Sequence, residues 1–195
     1  MGDFVIQDAA SIAVGNAVRA EPGMRVLDVA AAPGGKTVHL LDQVAPDGIV
    51  VAADNQLRRA RTGSKRVTDA YWVCADGRTP PYRPQVFDRI LVDAPCSGLG
   101  TLRRRPEILY RAGSDDVARL SQIQRRLVES SLPLLRDGGE LIYSVCTVTP
   151  DETVGVIAGL GFEVPDCPGD PVGTGRMMTP QTTGTDGMFV ARYRN

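Results

Sequence analysis

From Asp28 to Leu40 the chain reads DVAAAPGGKTVHL, and this stretch limits the fold more than any other. The residues leading into it, MRVLDVA (24 to 30), form the short apolar run of a buried strand. Those following, KTVHLLDQVA, have helical spacing at Val38, Leu41 and Ala45 and are ended by Pro46 and the Asp47-Gly48 turn. A second apolar run, GIVVAADN (48 to 55), comes next. Strand, glycine turn, helix and strand make a βαβ unit, which commits the chain to a parallel sheet.

The ending Gly35-Lys36-Thr37 resembles the close of a P-loop. That motif wants a glycine where Ala30 stands, and Pro33 removes a backbone donor that a phosphate nest would use. A triphosphate-binding enzyme is therefore disfavoured. An acid, Asp54, follows the turn by about twenty residues at the end of the second strand, which is the logic of a nucleoside crevice. The G-x-G-x-x-G fingerprint is missing, and with it the usual pyrophosphate seat. A cofactor with an adenosine and no phosphates fits better: S-adenosylmethionine.

Three further short strands are expected in YWVCAD, FDRILVDAP and GELIYSVC, and an amphipathic helix in ARLSQIQRRLVESSLPLL, with Leu120, Ile123, Leu127 and Ser131 on one side and Asp137-Gly138-Gly139 closing it. The alternation implies an α/β fold, a doubly wound and mostly parallel sheet. Pro165 to Asp186 reads as a long loop between two late strands that form an edge hairpin. Asp28, Asp54, Asp76, Asp93 and Cys146 all fall at or just past strand carboxyl ends. In open α/β sheets that rim is where ligands bind.

With 195 residues the expectation is a single domain. Net charge is −1, so any nucleic-acid contact must come from a local patch, and TLRRRPEILYR supplies one in Arg103, Arg104, Arg105 and Arg111. No apolar run approaches the length of a membrane span, and the start lacks the pattern of a secretory signal, which makes the cytoplasm the default expectation. Cys74, Cys96, Cys146 and Cys167 are too widely spaced for a C-x-x-C motif, so free thiols and no metal site are expected.

DVAAAPGGKT, DAPCSGLGTLRRRPE and YSVCTVTPDE, with QDAAS, DGR and DGMFVARY around them, together resemble the RNA (cytosine-5) methyltransferases of the Sun/Nop (RsmB-like) family, over nearly the whole chain. The resemblance implies a seven-stranded, Rossmann-like class I methyltransferase fold. The activity it implies is methyl transfer from S-adenosylmethionine to carbon 5 of cytosine in RNA, with ribosomal RNA as the expected substrate. It assigns the cofactor to Ala31, Ala32, Pro33, Gly34, Gly35 and Lys36 of the turn, to Asp54 at the ribose, to Arg58, to Asp76 and Gly77 near the adenine, and to Asp93. Catalysis falls to Cys146 as nucleophile, Cys96 in product release and Asp93 at the base; Arg103, Arg104 and Arg105 would hold RNA phosphates. Most relatives carry an RNA-binding domain ahead of this one. Here QDAAS stands too near the start for that, so target recognition is expected from a missing domain or a separate protein.

Two other functions compete with this one. A DNA cytosine-5 methyltransferase would use Pro95-Cys96 for its nucleophile and would not need Cys146. A non-catalytic RNA-binding or assembly module would have no use for the intact Asp54, Asp93, Cys96 and Cys146.

Overall fold

The computed structural model describes residues 6–110 and 113–195; Arg111 of the arginine run lies outside them. The βαβ unit forms as the turn dictates. Strand β1 (Arg25–Asp28) leads through it into α2 (Gly35–Val44) and β2 (Ile49–Asp54), after a first helix α1 (Ala9–Ala17). Gly34, the residue before α2, has φ +102°, and a side chain there would also strike Val67. Only glycine meets both demands.

Next come α3 (Leu57–Arg66), β3 (Tyr71–Cys74), β4 (Phe87–Asp93), α4 (Ser114–Ser131) and β5 (Leu135–Val145). A short helix α5 (Val154–Ile157) and strands β6 (Asp170–Val172), β7 (Gly175–Met178) and β8 (Met188–Arg194) complete the order. The sheet runs β3-β2-β1-β4-β5-β8-β7-β6, with β1 to β5 parallel and the last three strands antiparallel to their neighbours. Chain order reverses between β1 and β4, and there a crevice must open at the carboxyl ends.

Both faces of the sheet are covered. Along β4 and β5, Ile90, Val92, Leu141, Tyr143 and Val145 point into a core shared with Leu127 and Val128 of α4. Leu91 and Ile142 point the other way, against Val14 of α1 and Leu40 and Val44 of α2. Period-two alternation on strands buried on both faces produces the near-continuous apolar runs of the sequence. Truncating any of these side chains to alanine would cost about 2 to 5 kcal/mol.

Three expectations are corrected. Helix α4 ends at Ser131, where the short 3-10 turn Leu132–Leu134 follows, and Asp137-Gly138-Gly139 lies within β5. The inner face of α4 holds Leu127, Ser131 and, partly buried, Ile123 as expected, but it is widened to take in Val128 and the polar Gln124. The loop from 165 to 186 contains the β6–β7 hairpin, which raises the sheet to eight strands among the described residues. Among those residues no helix is long and apolar enough to cross a membrane, and no group of acidic, His or Cys side chains is placed to hold a metal.

Candidate active site

Parallel register aligns the strand ends. Asp54 lies opposite Cys74, and Asp93 opposite Ser144 one residue short of the end of β5. Around this rim are two clefts of about 870 and 890 Å³, on either side of the turn that follows β1, with Ala30, Ala32, Pro33 and Asp93 common to both walls. The first also takes in Ala31, Gly34, Gly35 and Lys36. The second gathers Asp54, Asp76, Gly77, Cys96, Arg105 and Cys146. Either is large enough for a cofactor of nucleoside size.

Asp54 is buried, with both oxygens engaged: one accepts the Gln56 amide at 2.9 Å and the other faces the Arg59 guanidinium at 3.3 Å. Arg59 also donates to the Ala32 carbonyl at 2.8 Å, tying the Asp54 carboxylate to the glycine turn. Asp76 is half exposed and held by the Arg78 side chain and backbone, hydrogen bonds that keep its carboxyl below the usual range. Asp28, buried beneath the turn, accepts from the Thr37 hydroxyl at 2.8 Å. Burial pushes its pKa up to about 7, with Thr37 working against the shift and Asp93 adding to it.

Asp93 bridges the two clefts. It accepts from Lys36 at 2.6 Å and from the Ser144 hydroxyl at 2.7 Å. Burial would lower the Lys36 pKa, but the Asp93 charge and hydrogen bond outweigh it and hold the ammonium above its ordinary value. The Cys96 and Cys146 sulfurs, from loops 50 residues apart in sequence, stand 3.3 Å from each other. Their hydrogen bond splits them: it lowers Cys146, against burial and with help from Lys36, and it raises Cys96, where burial acts in the same sense.

What holds these loops together carries no local sequence pattern. Glu152, completely buried, accepts from the Ser97 amide at 2.8 Å, the Ser97 hydroxyl at 2.5 Å, Thr147 at 3.1 Å, Thr149 at 2.9 Å and Gln124 at 3.0 Å. Gln124 also donates to the Pro95 carbonyl, and the Tyr143 hydroxyl donates to that of Glu152. One carboxylate thus fastens the residues after both cysteines. On the far side, the Gly100 amide donates to the Cys146 carbonyl and the Gly187 amide to that of Gly100; a side chain on Gly100 would collide with Gly187.

The expected arginines separate. Arg104 pairs with the buried Asp186, Arg103 lies 3.7 Å from Asp8 and 3.8 Å from Asp186, and Arg105 lines the second cleft while meeting Glu107 at 3.3 Å. Arg58, expected at the cofactor, lines neither cleft: it borders a separate hollow on the outside of α3, and Arg59 lines the second cleft in its place. One residue is a turn of about 100° around a helix, which a motif without a structure does not resolve. Cys74 is exposed and Cys167 half-buried, and all four cysteines are free.

Residues 16–194 match the family model described as 16S rRNA methyltransferase RsmB/F. The chain is 36% identical over 195 residues to ribosomal RNA small subunit methyltransferase B of Vibrio cholerae, covering 95% of this chain and 45% of that protein. The enzyme of the same name from Photorhabdus laumondii is 37% identical over 186 residues, covering 87% and 42%. The chain thus spans less than half the length of these curated relatives. Among solved structures, NSun6 from Pyrococcus horikoshii with SFG superposes with a TM-score of 0.87 at 28% identity, covering 99% of this chain and 53% of that one. A methyltransferase homolog protein from the same organism gives 0.80 at 31% identity, covering 98% and 68%.

Proposed function

The chain belongs to the RsmB/F family of 16S rRNA methyltransferases, and from that membership we propose that it is the catalytic part of an enzyme forming 5-methylcytosine in RNA, with ribosomal RNA as substrate. The observation that carries the chemistry is the 3.3 Å pair of Cys96 and Cys146 beside Asp93 and Lys36. The relatives' remaining length, or a separate protein, would supply target recognition.

S-adenosylmethionine, when bound, supplies an electrophilic methyl group. The residues fit such a group: a close-packed glycine turn, a buried carboxylate at Asp54 for two ribose hydroxyls, and a cleft of matching size; the NSun6 neighbour was solved with SFG, an analogue of this cofactor. Carbon 5 of cytosine is a poor nucleophile. Addition of the Cys146 thiolate to carbon 6 breaks the ring's conjugation and makes carbon 5 enamine-like. Asp93, held by Lys36 and Ser144, has lone pairs left to accept from a protonated ring nitrogen 3 and so stabilises the adduct. After methylation Cys96 takes up the carbon 5 proton, the carbon 5–hydrogen electron pair restores the carbon 5–carbon 6 double bond, and the sulfur–carbon 6 bond breaks, returning its electron pair to Cys146. Cys96 then donates to the departing thiolate, the same hydrogen bond that lowers the Cys146 pKa in the resting site. The base must leave any stack to reach these groups.

The test is methyl transfer from labelled S-adenosylmethionine to deproteinised ribosomal RNA, with denaturing gels for covalent adducts. Cys146→Ala is expected to lose product and adduct; Cys96→Ala is expected to accumulate a protein–RNA adduct. Adduct in Cys146→Ala and none in Cys96→Ala would reverse the roles, as in a DNA-type enzyme. Cofactor binding without transfer by the wild type would favour the non-catalytic module.

A further inference from the structure

If the protein methylates RNA, the backbone beside the target base needs a cationic surface, and the arginine run after Cys96 is largely engaged within the fold. Arg103 and Arg104 face Asp186 and Asp8, and Arg105 faces Glu107. Elsewhere many cations are paired, as in Arg78 with Asp76, Arg125 with Glu129 and Arg136 with Asp88, and those without a carboxylate partner among the described residues, such as Arg25, Arg83 and Arg126, stand apart from one another in sequence.

Helix α3 differs. Its sequence LRRARTGSKR contains Arg58, Arg59, Arg61, Lys65 and Arg66 and no acid. Arg59 pairs with Asp54; Arg58, Arg61, Lys65 and Arg66 are exposed, with no ion pair to a carboxylate among the described residues. The nearest acid in sequence, Asp69, takes a hydrogen bond from Thr68 instead. Lys65 and Arg66 in the last turn complement the helix dipole. Arg58 sits in the first turn, where a cation is unfavourable and an external anion would relieve it.

The arrangement is directional. Arg58, Arg61 and Lys65, spaced i, i+3 and i+7, form one stripe about 10 Å long around a shallow hollow of about 460 Å³, with Leu57 and Thr62. Lys65 and Arg66 also line the cleft that contains Lys36 and Asp93, so the stripe runs on into the active site. The opposite face of α3 is fixed: Ala60 and Gly63 are buried, and the Trp72 indole packs at Gly63 while donating to the Val67 carbonyl at 2.9 Å.

We propose that the outer face of α3 is a phosphate-binding surface that holds the RNA backbone flanking the target base. The proposal rests on the RNA methyltransferase reading. Charge complementarity selects the occupant: a polyanion meeting unpaired guanidinium and ammonium groups in a protein whose net charge is −1.

The experiment compares wild type with the triple variant Arg61→Gln, Lys65→Gln, Arg66→Gln, which keeps good helix formers and leaves Arg58 and Arg59 in place. Binding of deproteinised ribosomal RNA is measured by filter retention between about 50 and 200 mM salt, together with KM for RNA, kcat and cofactor affinity. Arg125→Gln, which removes a paired surface cation, is the control. The triple variant is expected to bind RNA at least about tenfold more weakly near 150 mM salt, with a log–log salt slope shallower by about 2, from three contacts at about 0.7 each. KM for RNA rises, and in the single variant Arg61→Gln, whose residue lines neither cleft, kcat and cofactor affinity hold. Unchanged affinity and slope, or a wild type with no affinity for RNA, overturns the assignment. A wild type whose RNA binding depends on α3 but that transfers no methyl keeps the surface and overturns the methyltransferase reading instead.

Discussion

The two halves of the cleft are built differently. The half we assign to the cofactor is local: β1, its glycine turn, α2 and β2 are consecutive, and Asp54 reaches the turn through one arginine, Arg59. The cysteine half is assembled from distant segments. Cys96 follows β4 and Cys146 follows β5, and Glu152 draws their loops together through five hydrogen bonds while Gly187 closes them from the end of the chain. A cofactor seat can be specified by a short motif, whereas a two-thiol site needs a buried tie.

If that contrast is right, damage should stay in its own half. The largest effect belongs to Glu152→Ala, which strands the Ser97 amide, the Gln124 amide group and three hydroxyls. Urea unfolding should show a loss of about 3 to 5 kcal/mol, and kcat should fall with cofactor affinity intact. A matching loss of cofactor affinity would break the comparison.

Next is Asp28→Asn. An aspartate raised to about 7 by burial stabilises the fold at pH values below the ordinary carboxylate pKa, and this contribution is lost as pH rises through 7. The asparagine variant should therefore match wild type near pH 4 and exceed it by about 2 to 4 kcal/mol at pH 8, read by thermal or urea unfolding. A pH-independent difference would refute the burial argument.

Asp54→Ala should weaken cofactor binding by about 10- to 100-fold, measured by calorimetry, through loss of charged hydrogen bonds to ribose. The rate at which iodoacetamide alkylates Cys146 should not change. That rate should titrate below an ordinary thiol, and Lys36→Met should move its midpoint up, because the ammonium stabilises the thiolate. The smallest effect is Arg119→Ala, an exposed pair with Asp116, expected within about 0.5 kcal/mol and without influence on either half.

The arginines show where a sequence reading stops. A run of three beside a cysteine motif reads as a phosphate clamp, yet Asp186, some eighty positions later, is buried and claims Arg104. Glu152 was equally opaque: an acid after Thr-Pro reads as an exposed first-turn residue. Gln124, a polar residue one position from Ile123, is fully buried on the inner face of α4. In each case the deciding partner comes from another element, and no local pattern encodes it.

What the sequence determined by itself was the part governed by short-range rules. Period-two strands buried on both faces, a positive-φ glycine before a helix and the acid ending the next strand specify the parallel sheet, its rim and the order of groups along it. Which groups meet across that rim was left to the tertiary structure: the 3.3 Å approach of two sulfurs, the choice of Arg59 over Arg58 at Asp54, and the cations that remain unpaired on α3. Pairing of charges and thiols acts over a few ångströms, and only the packed fold brings residues far apart in the chain within that range.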